Sequence, residues 1–317
     1  LVGIVWVTVV MVTLIALALH CLVRRAKLPF LMEIIVVALA LSSMKPIYSP
    51  RSWLFSILFF AVELNVALRV RSGGKPALLM ALPLIFVLWA NLHIQFSYGV
   101  AVLGIFAFES LREALRRSDA RGENVEAIPL GPMLATVIGC VLAILVNPYH
   151  YRLIFVIFEY ATQTGAFQNV QEFHPLFFRA LADWFILALA LGTAYSLGWQ
   201  KSLRILPLGL LLMAVLLSFR ARRDSWVVVT VAAALIGDNG AWSALGESFR
   251  LTRARIFFVV AAVIVALGLM SRYREIDEPH LQHFVERRFP VNAVAFVKQN
   301  RFPGPLYNNF DWGGYLI

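Results

Sequence analysis

The sequence predicts an all-α, polytopic integral membrane protein, a helical bundle with about ten spans. Composition is the first reason: 60% of the 317 residues are hydrophobic and only 15% are charged, and the mean hydropathy is +0.77. Ordinary soluble domains are about 45–50% apolar and about 25% charged. The second reason is that long apolar runs recur along the whole chain. Together these features exclude a soluble enzyme, a disordered linker and a secreted disulfide scaffold.

The apolar runs define the predicted spans in chain order. They cover residues 1–23, 28–44, 52–68, 77–91, 95–111, 127–146, 181–197, 205–219, 226–244 and 255–271. Several are shorter than the roughly 20 residues that a straight span needs, so these lie partly in the interface or in a thin part of the bilayer. The pattern becomes soluble after residue 271. We therefore expect a transmembrane domain at 1–271 and the truncated start of an extracytoplasmic α/β domain at 272–317.

The basic residues predict the orientation. The net charge is +10, and loops after the odd-numbered spans carry more Lys and Arg than the others do. The positive-inside rule assigns those loops to the cytoplasm and both chain ends to the outside. Membrane lipid, and not nucleic acid, is the partner that this distribution indicates.

The cysteines and the chain ends add two expectations. Cys21 and Cys140 are the only cysteines, and both fall within apolar runs, so we interpret them as small core residues and expect no structural zinc or iron–sulfur cluster. The chain begins at Leu1 without a basic leader and ends at Ile317 after a glycine pair. It is expected to be a fragment of a longer protein.

An arginine cluster on the predicted outer face is the first candidate site. Arg220, Arg222 and Arg223 stand against the positive-inside trend, and Asp224 follows them at the predicted start of the ninth span. Guanidinium groups match phosphate oxygens bidentately, and a helix N-terminus favours an anion. The cluster predicts a lipid-linked phosphate site. The alternative is that the arginines pair with Asp224 and lipid headgroups while Asp224 caps the helix.

Polar residues interrupt the apolar pattern between the fourth and fifth spans. Asn91, His93 and Gln95 cannot face lipid unpaired, because each unpaired polar group costs several kcal/mol there. They must face a cavity, the membrane interface or each other. His93 is a candidate substrate or metal contact, or a hydrogen-bonded turn residue.

The stretch at 147–180 is the longest predicted loop. Its aromatic residues are typical of an interfacial helix: Tyr149, Tyr151, Phe155, Phe158 and Tyr160. His150 and Arg152 lie among them. Glu172 and His174 form a carboxylate–imidazole pair that suits acid–base chemistry, or a divalent metal together with Asp311. An ordinary loop pairing is the alternative.

Glu63 is an acidic residue well inside a predicted span. Carboxylates at this depth are costly and are candidates for function, here a proton-coupling group. The alternative is a structural carboxylate paired with Arg69 or a neighbouring span.

The tail contains a predicted short helix after Pro290 and an expected strand at Leu306 and Tyr307, followed by a tight turn at 311–315. Four stretches of the chain resemble a group of large bacterial integral membrane proteins related to the C-type (GT-C) membrane glycosyltransferases. This superfamily includes the protein mannosyltransferases and the lipid A aminoarabinose transferases. The stretches are Leu88–His93, Asn147–Tyr149, Phe219–Asp224 and Asn309–Leu316, and the last is the most specific.

The resemblance begins near Tyr48 and implies a bundle in the bacterial inner membrane with its active site at the outer face. It also implies a polyprenyl-phosphate sugar donor. The superfamily's catalytic acid is expected in an upstream loop, so no residue here inherits that role. Ile94 and Gln95 follow His93 where another form of the group has glycines, which predicts different contacts at that corner.

The leading hypothesis is sugar transfer from a lipid phosphate to an acceptor. The rivals are a secondary transporter or lipid flippase coupled through Glu63, and a non-catalytic partner in envelope assembly. The hypothesis uses three groups of residues: arginines on the phosphate (Arg220, Arg222, Arg223, Arg152), cavity residues (Asn91, His93, His150, Trp312) and the catalytic candidates Glu172 and His174. A divalent metal is the candidate cofactor.

Overall fold

The computed structural model describes residues 2–28, 30–119, 127–162, 164–199, 204–238, 277–303, 305 and 307. All regular structure in these ranges is helical. Eleven α-helices lie in the region that corresponds to the predicted transmembrane domain: α1 Val2–Val23, α2 Phe30–Ser43, α3 Trp53–Arg71, α4 Ala81–Leu92, α5 Phe96–Asp119, α6 Leu130–Ile144, α7 Arg152–Thr162, α8 Thr164–Asn169, α9 Leu181–Trp199, α10 Ile205–Arg220 and α11 Trp226–Asp238. In the tail, α12 spans Glu278–Arg288 and α13 spans Val291–Gln299.

Helix formation at the predicted positions is confirmed for the first nine apolar segments, whereas the tenth, 255–271, lies outside the described residues. Within the described ranges, three helical segments are long and apolar enough to cross a membrane: Val2–Ala26, Trp53–Arg71 and Leu181–Trp199. Four more apolar helical segments are shorter. The protein is therefore a helical membrane protein, and the count of ten spans stays a prediction.

The chain divides into two compact units, Thr8–Phe249 and a second unit of Leu1–Val7 with Arg250–Ile317. The predicted boundary at 271–272 lies outside the described residues. In the second unit, the helix predicted after Pro290 is present as α13, with Pro290 at its N-cap. The strand expected at Leu306 and Tyr307 is not seen at Tyr307, while Leu306 lies outside the description.

Helix α11 is the centre of the first unit. Its residues from Trp226 to Leu235 are all buried, and it packs against α2, α3, α9 and α10. Valine and alanine dominate this segment, and small side chains let neighbouring helices approach closely. A helix that is apolar on every side belongs in the core of a bundle.

The outer helices carry apolar residues on their exposed faces at helical spacing, as a lipid-facing bundle requires. The pattern recurs on several helices, with examples at Val10, Leu14 and Leu17, at Leu84 and Leu88, and at Leu212 and Leu216.

An ion-pair network joins α3, α5 and α11. The Arg71 side chain, only 1% exposed, donates from Nε and Nη2 to the two carboxylate oxygens of Glu109 at 2.9 and 3.1 Å. Its Nη1 donates to Asp238 Oδ2 at 3.0 Å. Arg25 donates to Asp238 Oδ1 at 3.1 Å. We call these four residues the Arg71 network.

Backbone packing is very close beside this network. A methyl group on Gly237 would lie 1.9 Å from the Leu22 carbonyl oxygen. Glycine is therefore needed where the end of α1 meets the end of α11.

Candidate functional site

The arginine cluster occupies a sharp connection between two helices. Helix α10 ends at Arg220, Ala221 is extended with φ −142° and ψ 123°, and residues Arg222–Asp224 form a 3₁₀ turn before α11 begins. The extended residue reverses the chain. As a result, Asp224 points into the bundle and is 7% exposed.

Asp224 is held by donors from the start of α5. Gln95 Nε2 donates to Oδ1 at 2.6 Å, and the Tyr98 hydroxyl donates to Oδ2 at 2.8 Å. The backbone is fixed as well: Ser218 Oγ donates to the Asp224 carbonyl oxygen and accepts from the Val228 N–H, both at 3.0 Å. These hydrogen bonds hold the Asp224 side chain and backbone in place. They explain its position without the alternative that Asp224 caps α11.

Arg223 lies directly beside the Asp224 carboxylate. Its Nε lies 3.7 Å from Asp224 Oδ1, and its guanidinium carbon lies 4.5 Å from the centre of the Phe173 ring. Burial raises the pKa of Asp224, while Arg223 and the two hydrogen-bond donors act in the opposite direction. A cation beside a buried carboxylate offsets part of its desolvation cost.

A pocket of about 180 Å³ opens on these groups. Its polar wall is made by Gln95, Tyr98, Arg220, Arg223 and Asp224, and apolar side chains close the rest, including Ile157, Phe167, Phe173 and Leu217. Two guanidiniums and one carboxylate leave an excess of positive charge. The volume suits a small anionic group, such as one phosphate, at the end of an apolar chain. We call this pocket and its polar residues the Asp224 site.

His93 lies beside this site in a hydrogen-bond chain. Trp89 Nε1 donates to Ser56 Oγ at 2.8 Å, and Ser56 Oγ lies 2.8 Å from His93 Nδ1. The hydroxyl can donate one hydrogen bond and accept two, so the direction of the bond between Ser56 and His93 depends on the tautomer of the imidazole. Burial, with a contribution from Arg223, lowers the pKa of His93 to about 4. The ring is therefore neutral near pH 7.

The four predicted phosphate-binding arginines are not all brought together. Arg220 and Arg223 line the pocket, whereas Arg222 and Arg152 do not. Arg220 lies 4.5 Å over the Phe167 ring and donates to the Ala161 carbonyl oxygen at 3.0 Å.

The remaining predicted cavity residues have local roles. Asn91 Nδ2 donates to the carbonyl oxygens of Val87 and Val146 at 2.8 and 2.7 Å, so it ties α4 to the end of α6. His150 has a positive φ of 48°, and its Nδ1 lies 3.1 Å from the Leu145 carbonyl oxygen. Trp312 lies outside the described residues.

Glu172 and His174 face different partners. Glu172 forms an ion pair with Arg51, and His174 Nε2 lies 3.1 Å from the Gln168 carbonyl oxygen. The His174 carbonyl oxygen accepts from the Arg222 N–H at 2.8 Å, which docks the 171–174 turn on the arginine turn. Among the described residues no three His, Cys, Asp or Glu side chains are grouped to hold a metal, and Asp311 lies beyond them.

Glu63 is fully buried in α3. Neither of its carboxylate oxygens has a hydrogen-bond partner in the described structure, so the predicted pairing with Arg69 is not seen. Gly99 of α5 makes room for it, because a methyl group there would lie 2.6 Å from Glu63 Oε2.

Sequence reasoning identified the arginines, Gln95 and His93 but missed Tyr98 and the central position of Asp224. Gln95 directly precedes α5 and Tyr98 lies in its first turn three residues later, a spacing that brings both side chains to the same side. That spacing was the available signal. The comparisons give no further guide, since no protein-family profile, curated protein or solved structure is significantly similar to the chain.

Proposed function

We propose that the Asp224 site binds the phosphate of a polyprenyl-phosphate sugar and that the chain is part of a GT-C-like membrane glycosyltransferase. The observation that carries this proposal is the pairing of Arg220 and Arg223 on one small pocket with apolar walls. Arginine binds phosphate bidentately, and an apolar lining suits a lipid chain.

The chemistry assigned to the site is charge stabilisation. In sugar transfer the bond between the anomeric carbon and the phosphate oxygen breaks, and its electron pair passes to the phosphate. The acceptor oxygen forms the new bond to that carbon, and its proton passes to the departing phosphate. Arg220 and Arg223 would stabilise the departing phosphate, as preorganised cations do in a low-dielectric site. Asp224 is a positioning residue here, since it holds Arg223. The proposal assigns no catalytic base to the described residues.

The test is ligand-dependent stability. The protein in nanodiscs is unfolded thermally with polyprenyl phosphate and, as a control, with the dephosphorylated polyprenol. A ligand at one hundred times its dissociation constant stabilises the native state by about 2.7 kcal/mol. We expect the phosphate form alone to raise the unfolding temperature.

Two double variants distinguish the arginines that line the pocket from those that lie outside it. Arg220→Gln/Arg223→Gln should lose the shift, whereas Arg152→Gln/Arg222→Gln removes the same charge outside the pocket and should keep it. Arg220→Lys retains a charge and checks for misfolding. Equal shifts with the phosphate and the alcohol, or loss of the shift in the control pair alone, would contradict the proposal.

A second function, proton-coupled transport or lipid flipping, is favoured by one observation: the fully buried Glu63 without a hydrogen-bond partner in the described structure. Glu63→Gln keeps the shape and removes the titratable proton. Loss of transport into proteoliposomes, with phosphate-lipid binding intact, would support this function over sugar transfer. A third possibility, a non-catalytic envelope partner, requires that no substitution at the Asp224 site alters any transfer.

A further inference from the structure

A second, larger cavity lies between α1 and α3. Its volume is about 700 Å³, and it is lined by Ala18, Cys21, Arg24 and Arg25 from α1 and the turn after it, and by Val62, Asn65, Val66, Arg69 and Leu78 from α3 and the segment that follows. None of these residues lines the Asp224 pocket. We call this cavity the basic groove.

Helical spacing explains how α3 builds one wall. Positions 62, 65, 66 and 69 follow the three- and four-residue spacing of a single helix face. The two valines make that wall apolar, while Asn65 and Arg69 add polar groups toward the C-terminal end of the helix.

The lining is cationic at one end. Arg24, Arg25 and Arg69 contribute three guanidiniums, and no acidic side chain is among the lining residues. Arg25 already donates to Asp238, to the Leu68 carbonyl oxygen and to Ser72.

The other two arginines differ from Arg25. Within the described part of the chain, neither Arg24 nor Arg69 forms a side-chain hydrogen bond or a salt bridge, although Arg24 lies close enough to Glu33 to act on it electrostatically. Two guanidinium groups therefore remain available to an anion.

The remainder of the groove suits an acyl chain. Val62, Val66 and Ala18 form its apolar wall, and Leu78 is 39% exposed. A soluble anion would leave this wall without a contact. An amphiphile with a phosphate headgroup would use both parts, with the Asn65 amide able to hydrogen-bond ester or hydroxyl oxygens.

We propose that the basic groove binds one anionic phospholipid, with its phosphate between Arg24 and Arg69 and an acyl chain along Val62 and Val66. Basic pockets between membrane helices on the cytoplasmic side recognise anionic headgroups, and the charge distribution predicts that side for this end of the bundle. This inference is independent of the proposed function.

Cys21 provides the measurement, because it lines the groove and is exposed while Cys140 is buried. The full chain in phosphatidylcholine nanodiscs is treated with a maleimide, and modification of Cys21 is followed by mass spectrometry. Adding phosphatidylglycerol with the same acyl chains should slow the modification at least about fivefold, since a bound lipid covers the thiol. Native mass spectrometry should detect one retained phosphatidylglycerol.

Substitutions and alternative ligands test whether the lipid binds in the basic groove. Arg24→Gln/Arg69→Gln should abolish both the protection and the retained lipid, whereas Arg112→Gln/Arg116→Gln removes the same charge from α5 and should preserve them. The proposal is overturned if Cys21 reacts as slowly in phosphatidylcholine alone as it does with phosphatidylglycerol added, which would be ordinary shielding by the bilayer. It is overturned too if the Arg24→Gln/Arg69→Gln variant is still protected. It is also overturned if millimolar inorganic phosphate alone protects Cys21 as well as the lipid does.

Discussion

The Arg71 network and the Asp224 site are two charged clusters that share helix α5 and differ in their charge balance. In the network, two arginines meet two carboxylates, and the central guanidinium is 1% exposed. At the Asp224 site, Arg220 and Arg223 share one carboxylate and open on a pocket. The charges of the Arg71 network balance one another and close one end of the helix bundle. The Asp224 site at the other end has one arginine more than it has carboxylates, which leaves a positive charge for an anionic ligand. The comparison separates groups that stabilise the protein from groups that are available to bind.

Arg71→Met tests the network most strongly. The substitution removes the cation shared by Glu109 and Asp238, whose side chains are mostly buried, and leaves Asp238 with Arg25 alone. Removing one partner of a buried ion pair costs about 3–5 kcal/mol. Chemical denaturation in detergent should show this loss of stability. Arg69→Met, an exposed arginine of the same helix, should change stability by less than about 0.5 kcal/mol. Equal losses in both variants would show that the network has no special role.

Gly99→Ala tests the packing behind the Asp224 site. The added methyl would lie 2.6 Å from Glu63 Oε2 and 2.7 Å from the Trp89 ring, and overpacking of this kind costs up to about 3 kcal/mol. Gly104→Ala is the matched control on α5, since nothing lies within 4 Å of its added methyl. Thermal unfolding should separate the two variants; indistinguishable midpoints would contradict the close contact.

His93, beside the Asp224 site, makes the stability of the protein depend on pH. The native state keeps the imidazole neutral down to a pKa of about 4, compared with an ordinary value of 6.5. Between these values the unfolded chain binds more protons, so the stabilisation is complete above pH 6.5 and is lost as the pH falls toward 4. Compared with His93→Gln, the wild type should lose about 2 kcal/mol over that interval. Parallel stability curves for the two proteins would refute this assignment.

Arg51→Gln has the smallest expected effect. Its ion pair with Glu172 is solvent-exposed, at 55% and 36% for the two side chains, and such pairs contribute less than about 1 kcal/mol. Unfolding should therefore change little. A large loss would mean that the pair also supports the 171–174 turn beside Arg222.

Hydrophobic runs were sufficient to locate helices, but they did not fix all helix ends. Helix α5 continues to Asp119 beyond the predicted limit of 111, because Arg112, Glu113 and Arg116 favour helix although they are polar. The arginine cluster was predictable from its position against the charge trend. Its partners were not, since Gln95 and Asp224 are 129 residues apart in the chain and no local pattern encodes such a contact.

The ion pair between Arg25 and Asp238 can form only late in the synthesis of the chain. These residues are 213 positions apart, and a ribosome adding about 5–20 residues per second needs roughly 10–40 seconds to make the stretch between them. Throughout that interval Arg25 lacks the carboxylate with which it pairs in the folded protein, and basic residues beside an apolar helix influence the orientation in which that helix inserts. One side chain can thus direct the insertion of α1 early in synthesis and later, once Asp238 has been made, join the last of the paired helices to the first.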